Sequence, residues 1–470
     1  MMKIRDRFTR RESQVVNGLP TGWASRVGVL SQAEGLGRAR RQRPARAMHT
    51  SDSDPAGTQP IHVVIPRSGR HLFEGIRDDR VALGSDAAQP SRLIVLPCGQ
   101  DRRFEELRRF VWPEPLGRRV AEGRVGVALD ASPEAVPPKP DIVASLHDVI
   151  AYLGASPRQC VYLTANWYFA ADYRAYCQSA GVDSPVPVIQ HDYWIWNSVA
   201  RFAVDGEQAF AARLAAFRGR SRTRARRFVS LNRTPRPFKI ALLLRLLRDG
   251  LWERGFVSFG GFAEAGKPGK AKPTADQLAA ALPGFEDMVA ELAPMLDVLE
   301  SHGCVLLGLQ GRSGGRLTQA QATEALDLAE YDESWFSAVT ETEMHARPSR
   351  ITEKVLKPLV NFHPLIVFGN PGSLQRVRDY GFATFGDLID ESYDEEPEPR
   401  RRFELAYSEL LRLSRMTEAE LADLESRAAE RLIHNARWGL TQFPSEYRAR
   451  RDTALVNEIL SATDLPLTHR

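Results

Sequence analysis

Short apolar runs, each stopped by a proline or a polar turn and separated by helix-like stretches, constrain this chain most. Ile61-His62-Val63-Val64-Ile65-Pro66 and Arg92-Leu93-Ile94-Val95-Leu96-Pro97 both end at proline, and Val161-Tyr162-Leu163-Thr164 and Val186-Pro187-Val188-Ile189 are similar. Runs of this kind read as buried parallel strands. Leu146 to Leu153 and Tyr168 to Ala180 lie between them and read as helices. Strands alternating with helices imply an α/β domain with a parallel sheet.

The alternation resumes further along. Phe228 to Leu231 and Phe256 to Phe259 read as strands, as do Phe336 to Thr340, Leu365 to Phe368 and the short Thr384-Phe385. Lys239 to Arg248 reads as a helix, with Pro235 and Pro237 before it and Gly250 after it, and Ala275 to Leu282 as another. A first α/β domain is therefore placed at 59–215 and a second at 222–399, joined through a strongly basic linker at 216–227. Phe403, Leu405, Leu410, Leu411, Leu413, Leu421, Leu424 and Leu432 follow a helical period. A helical tail is thus predicted over 400–470, packed back across the first domain. The fold class is α/β with two Rossmann-like domains and a C-terminal helical extension. A length of 470 residues suits two to three domains at about 100 to 200 residues each.

Composition excludes several functions. The 63 basic and 59 acidic residues leave a net charge of only +4, a weak basis for nucleic-acid binding. Cys98, Cys160, Cys177 and Cys304 form no CxxC pair, so neither a zinc ribbon nor a redox motif is spelled. They read as reduced thiols of a cytoplasmic protein. No run of about 18 apolar residues exists to span a membrane, although contact with a membrane surface is left open. Residues 1–58 read as a disordered basic leader, with Arg38, Arg40, Arg41, Arg43 and Arg46 in one run. The leader lacks the apolar core of a secretory signal. A transit peptide and a start at Met48 remain as alternatives.

Three segments carry chemistry. In Arg350-Ile351-Thr352-Glu353-Lys354, Thr352 can cap a helix starting at Glu353. A helix N-terminus suits phosphate, Lys354 adds a point charge and Arg350 a fork of donors. In Phe228 to Lys239 a strand runs through Asn232 into a basic turn with Arg233, Arg236 and Lys239. Such turns lie at the carboxyl ends of parallel strands, where open α/β sheets bind ligands. The third segment, Ser334 to His345, delivers Glu341 and Glu343 to a strand end, where either can accept hydrogen bonds from ribose or sugar hydroxyls. Each segment also has a plain reading, as a capped surface helix or a solvated loop.

Together these segments resemble the nucleotide-sugar domain of α1,3-fucosyltransferase-like enzymes of the GT-B type. Ser230-Leu231-Asn232 stands where that family ends a strand in Ser-Asn, with Lys239 or Arg236 at its basic position. Glu343 stands ten residues before Glu353 in Thr352-Glu353-Lys354, and Pro364 to Gly369 matches the apolar strand and glycine turn that follow. Phe336 to Glu341, Ile351 to Pro358, and Gly381 to Phe385 followed by Asp390 to Asp394 resemble little-characterised bacterial, exostosin-like glycosyltransferases. Two departures stand out: Met344 replaces the family's Asn after the acid, and Leu231 separates Ser230 from Asn232. The resemblance implies a glycosyltransferase in glycan biosynthesis. It would move a sugar from a nucleotide diphosphate to a glycan or other hydroxyl acceptor, with the donor as co-substrate and no other cofactor.

On the acceptor side, Thr164 to Tyr168 and Gln190 to Trp196 place polar and aromatic groups at strand ends. An inverting transfer needs a general base, and Asp192, His191 and Glu343 are the candidates. No metal is expected. Asp52-Ser53-Asp54 has the spelling of a metal-holding pair but lies in the leader. Basic residues can instead offset leaving-group charge. Two rival readings are a non-catalytic nucleotide-sugar or glycan-binding protein and a nucleic-acid binder using the Arg-rich leader and linker; nucleic acid is the less favoured partner.

Overall fold

The computed structural model describes residues 61–64, 81–84, 93–98, 104, 107–112, 114, 116–202, 206–263, 270–307, 329–344, 347 and 350–463. The leader, with its arginine run, Met48 and Asp52-Ser53-Asp54, lies outside them.

Two parallel sheets are present. The first holds β1 (Ile61–Val64), β2 (Val81–Gly84), β3 (Leu93–Pro97), β4 (Gly126–Ala131), β5 (Cys160–Thr164) and β6 (Val188–Gln190), in the order β2-β1-β3-β4-β5-β6. The second holds β7 (Phe228–Asn232), β8 (Gly255–Phe259), β9 (Phe336–Thr340) and β10 (Leu365–Phe368), in the order β10-β9-β7-β8. The first four strands of each half thus take the same spatial order, so both halves are Rossmann-like. The second half has its topological switch point between β7 and β9, where ligands bind beyond the strands' carboxyl ends.

Two strands were absent from the sequence reading, β2 and β4. β4 is buried along its whole length, yet Ala128 and Asp130 lower its intrinsic strand signal. Its position between β3 and β5 overrides that preference.

Helices α1 (Pro140–Tyr152), α2 (Phe169–Ala180) and α3 (Tyr193–Phe202) belong to the first half, and α4 (Pro237–Arg248), α5 (Glu353–Val360) and α6 (Ser373–Asp379) to the second. The tail holds α7 (Pro399–Arg415), α8 (Glu418–Arg437) and α9 (Phe443–Ala462). Alternate residues of a strand face opposite ways, and the first sheet is covered accordingly. Ile94, Leu96, Val127 and Leu129 pack with Leu146 of α1 and Phe169 of α2. Leu93, Val95, Ala128 and Val161 pack with Leu455, Val456 and Ile459 of α9. The tail therefore crosses back and completes the first half. Each buried Val, Leu, Ile or Phe among them contributes about 1.5–3 kcal/mol. Trp196 belongs to the same junction, donating to Asp452 Oδ1 at 2.8 Å.

Three local expectations are corrected. The long helical pattern of the tail breaks between Arg415 and Glu418, where Thr417 and Glu420 form a capping box that starts α8. Thr384-Phe385 is not a strand. The side-chain amide of Asn435 instead donates to Ala383 O at 2.8 Å and accepts from Ala383 N at 2.7 Å, supplying the bonds a neighbouring strand would give. The basic linker is largely structural. Arg220 donates to Asn361 O at 2.8 Å, satisfying the carboxyl end of α5. Arg224 donates to Glu425 at 2.6 Å and lies 3.9 Å over the Trp335 ring. With side chains only 3% and 1% exposed, neither arginine is available to a nucleic acid.

Candidate functional site

A cleft of about 260 Å³ opens at the carboxyl ends of the second sheet and is bounded across from it by Glu134 and Trp194 of the first half. Six cations line it, Arg233, Arg236, Lys239, Arg350, Lys354 and Lys357, against two carboxylates, Glu134 and Glu353. Leu231, Leu306 and Leu307 give it an apolar side. The balance of charge marks it as a site for an anion.

Two helices begin at this cleft. α4 has Pro237 in its first turn and Arg236 at its N-cap, which brings Arg236 and Lys239 to the lining. α5 begins after Thr352, whose hydroxyl accepts the Lys354 N–H. Unsatisfied amides and the positive end of the dipole favour an anion at such starts. Lys239 is 3% exposed. Burial, and then Lys354, push its amine down to about 7, against the opposing pull of Glu341. Lys354 Nζ donates to Thr352 Oγ1 at 2.9 Å and lies 3.5 Å from Glu353. Burial opposes ionisation of Glu353, but Lys354 and Lys357 outweigh it and hold the carboxyl below its usual range.

The backbone beneath the cleft is fixed by Asn232. Its N–H donates to Ser258 Oγ at 2.7 Å and its Oδ1 accepts from Thr340 Oγ1 at 2.7 Å, tying β7 to β8 and β9 at the switch point. A Cβ at Gly260 would stand 1.7 Å from Arg233 O, so only glycine lets the two strand-end loops approach so closely.

The sequence-predicted residues divide accordingly. Arg233, Arg236, Lys239, Arg350, Thr352, Glu353 and Lys354 come together at the cleft. Asn232 is buried beneath it and positions strands instead. Glu341, expected to meet a ribose, spends its carboxylate on Thr352, with Oε1 2.9 Å from the amide and Oε2 2.7 Å from the hydroxyl. Glu343 is closed onto Arg350, accepting at 2.8 and 3.2 Å. Although burial opposes ionisation, Arg350 holds Glu343 below its usual range.

Arg350 reaches both halves. It donates to Pro133 O at 2.7 Å and to Glu134 Oε2 at 3.3 Å as well as to Glu343. Most of its fork is therefore spent on protein, and it acts as a rivet at the cleft floor more than as a phosphate clamp.

The remaining base candidates lie away from the lining. Asp192 Oδ1 accepts from Trp167 at 2.7 Å and Gln190 at 2.6 Å, while Oδ2 accepts from Tyr380 of the second half. Burial pushes its carboxyl up to about 6. His191 is buried beside Trp196. Burial, and then Arg451, push its imidazole down to about 3. Among the described residues neither His191 ring nitrogen has a hydrogen-bond partner. Asp192 thus joins the two halves through Tyr380, and His191 is packed against Trp196 of α3, while Arg451 of α9 donates to Gln190 O at 2.7 Å just before them.

Glu134 was missed by the sequence reading. Asp130, at the end of β4, accepts from both the N–H and the hydroxyl of Ser132, at 3.0 and 2.6 Å. This turn carries Pro133 and Glu134 to the cleft. The signal was Asp130-Ala131-Ser132-Pro133 after an apolar run, a strand ending in a turn. Trp194, one of the aromatic groups expected on the acceptor side, lines the cleft and donates to Pro133 O at 2.7 Å, whereas Trp196 is core.

Among the described residues no cluster of three His, Cys, Asp or Glu side chains is placed to hold a metal ion. No described helix is long and apolar enough to cross a membrane.

No protein-family model matches the chain, and no curated protein matches it. Among solved structures it is similar to an α,α-trehalose 6-phosphate synthase from Burkholderia multivorans, at 13% identity and a TM-score of 0.34, covering 82% of this chain and 74% of that one. It is also similar to the catalytic domain of starch synthase IV from Arabidopsis thaliana bound to ADP and acarbose, at 10% identity and a TM-score of 0.37, covering 80% and 74%. At these values the likenesses carry no functional weight.

Proposed function

We propose that the cleft binds a nucleoside-diphosphate sugar and that the chain is a GT-B glycosyltransferase of the fucosyltransferase-like type. The observation that carries this reading is the convergence of Arg236, Lys239 and Lys354 on two helix starts at the switch point of a Rossmann-like half. Lys239 and Lys354 hold the diphosphate, with Arg236 at its outer side. Glu353 meets the ribose or donor sugar. As the glycosidic bond to the leaving phosphate breaks, the fixed cations offset the charge that develops there without moving. The acceptor hydroxyl enters from the first half, beside Trp194. Glu134 is the lining carboxylate on that side, in place to take the hydroxyl proton.

The reading is tested by thermal shift with nucleoside diphosphates, their sugars and the matching monophosphates. A ligand bound only by the folded state raises the melting temperature. Stabilisation by diphosphates of one base over monophosphates and other bases is expected. Lys354→Ala is expected to remove both that stabilisation and donor hydrolysis or transfer, with an unchanged circular dichroism spectrum. Full activity in that variant overturns the assignment. Diphosphate binding without transfer to any acceptor would leave a nucleotide-sugar-binding protein of the same fold.

A further inference from the structure

The cations of the cleft are not equivalent. Arg350 is spent on Glu343, Glu134 and Pro133. Lys354 is held by Thr352 and Glu353. Lys239, by contrast, is almost fully buried on the first turn of α4, and no described carboxylate lies within ion-pairing distance of it. The charged groups that act on it are Lys354 and Glu353 of α5, Glu341 beyond β9 and Arg236 at the N-cap of its own helix. Both carboxylates are already engaged, Glu341 by Thr352 and Glu353 by Lys354. Two cations therefore face Lys239 without a free counter-charge, in a cleft with an apolar side.

We propose that binding of a nucleoside diphosphate in this cleft is coupled to the uptake of one proton by Lys239. The inference rests on the donor reading given above. A buried amine beside other cations disfavours its charged form, and an anion placed next to it restores that form. Burial, and then Lys354, bring the amine down to about 7. Around pH 8 much of it is then neutral in the free protein. The diphosphate supplies the counter-charge, and the proton comes from solvent onto Nζ. No bond to carbon or phosphorus is made or broken. Binding and protonation are linked, so affinity falls as pH rises through the window where the free amine is neutral and the bound one charged. The expected slope there is about tenfold per pH unit.

The experiment is calorimetric titration of GDP, UDP and ADP into the full chain at pH 8. It is run in two buffers of small and large ionisation enthalpy, neither of them phosphate. The difference in apparent heat gives the number of protons exchanged. Most of one proton taken up per nucleotide bound is expected, with affinity weakening toward pH 9. Lys239→Arg, whose guanidinium stays charged, is expected to bind with no uptake. Lys239→Met is expected to bind at least tenfold more weakly, also with no uptake. Binding by the native chain with no proton exchanged, or uptake that persists in both variants, overturns the inference and leaves the donor reading intact. Failure of all three nucleotides to bind overturns the donor reading itself.

Discussion

Both carboxylate oxygens of Glu341 reach Thr352: one takes its amide at 2.9 Å and the other its hydroxyl at 2.7 Å. The end of β9 is thereby pinned to the N-cap of α5. The same hydroxyl receives Lys354 Nζ at 2.9 Å. Glu341 thus acts on the cleft through Thr352, by setting where the Lys354 ammonium stands.

Glu341→Gln presents an NH2 where an acceptor is needed, so the Thr352 amide or hydroxyl loses its partner. A buried unsatisfied donor costs about 1–3 kcal/mol. Chemical denaturation is expected to show a loss of that size, together with weaker stabilisation by the nucleoside diphosphate. Unchanged stability with lost binding would instead make Glu341 a direct ligand.

Arg350 gives the opposite expectation from a free phosphate ligand. Removing it leaves Glu343 buried and uncompensated, and breaking a buried pair costs about 3–5 kcal/mol. Arg350→Met is therefore expected to lower the denaturation midpoint sharply. Adding Glu343→Gln is expected to recover part of the loss, since the orphaned charge is gone. If Arg350→Met keeps native stability and loses only nucleotide affinity, the rivet between the halves is not what holds them.

The elements written in local sequence were legible; the pairings that complete the site were not. Val95 and Val161 sit in apolar runs and announce their strands. Pro237 and Thr352 announce helix starts, because N-terminal signals act over a few residues. β4 was only weakly announced because Ala128 and Asp130 give it little strand propensity, and with it went Glu134 at the following turn. Which acids the cations meet is a tertiary fact. Arg350 meets Glu134 across 216 positions of chain, and Asp192 meets Tyr380 across 188. Nothing in either segment encodes the other. The carboxylates expected as bases, Glu343 and Asp192, have partners that their own segments do not announce: Arg350 for the first, and Trp167 and Tyr380 for the second.

Asp192 makes that correction testable through pH. Its carboxyl is raised from an ordinary 3.8 to about 6, with burial the first cause. A folded-state value above the unfolded one means the folded protein binds the proton more tightly. This contribution to stability is therefore fully present below about pH 4 and is lost as pH rises toward and through about 6. The two values set an upper size of about 3 kcal/mol. Asp192→Asn keeps an acceptor for Trp167 and Gln190 and offers a donor to Tyr380. It is expected to flatten stability between pH 4 and 6 and to match or exceed the native protein at pH 8. Transfer is expected to stay within a few-fold of native, whereas loss of a true general base would cost about 10²–10⁴-fold.

Glu134 is the carboxylate for which that larger loss is expected. It lines the cleft from the first half, accepts one hydrogen bond from Arg350 at 3.3 Å and keeps 27% of its side chain exposed. Glu134→Gln preserves shape and a carbonyl acceptor for Arg350 but cannot take a proton from an acceptor hydroxyl. Transfer is expected to fall by about 10²–10⁴-fold, with nucleoside-diphosphate affinity within about twofold of native, because the cations proposed to hold the diphosphate, Lys239 and Lys354, stand on α4 and α5. The pattern to look for is a lowered kcat with little change in the donor KM. A variant that transfers at the native rate removes Glu134 from the reaction, and one that loses nucleotide affinity in step with turnover assigns it to the donor.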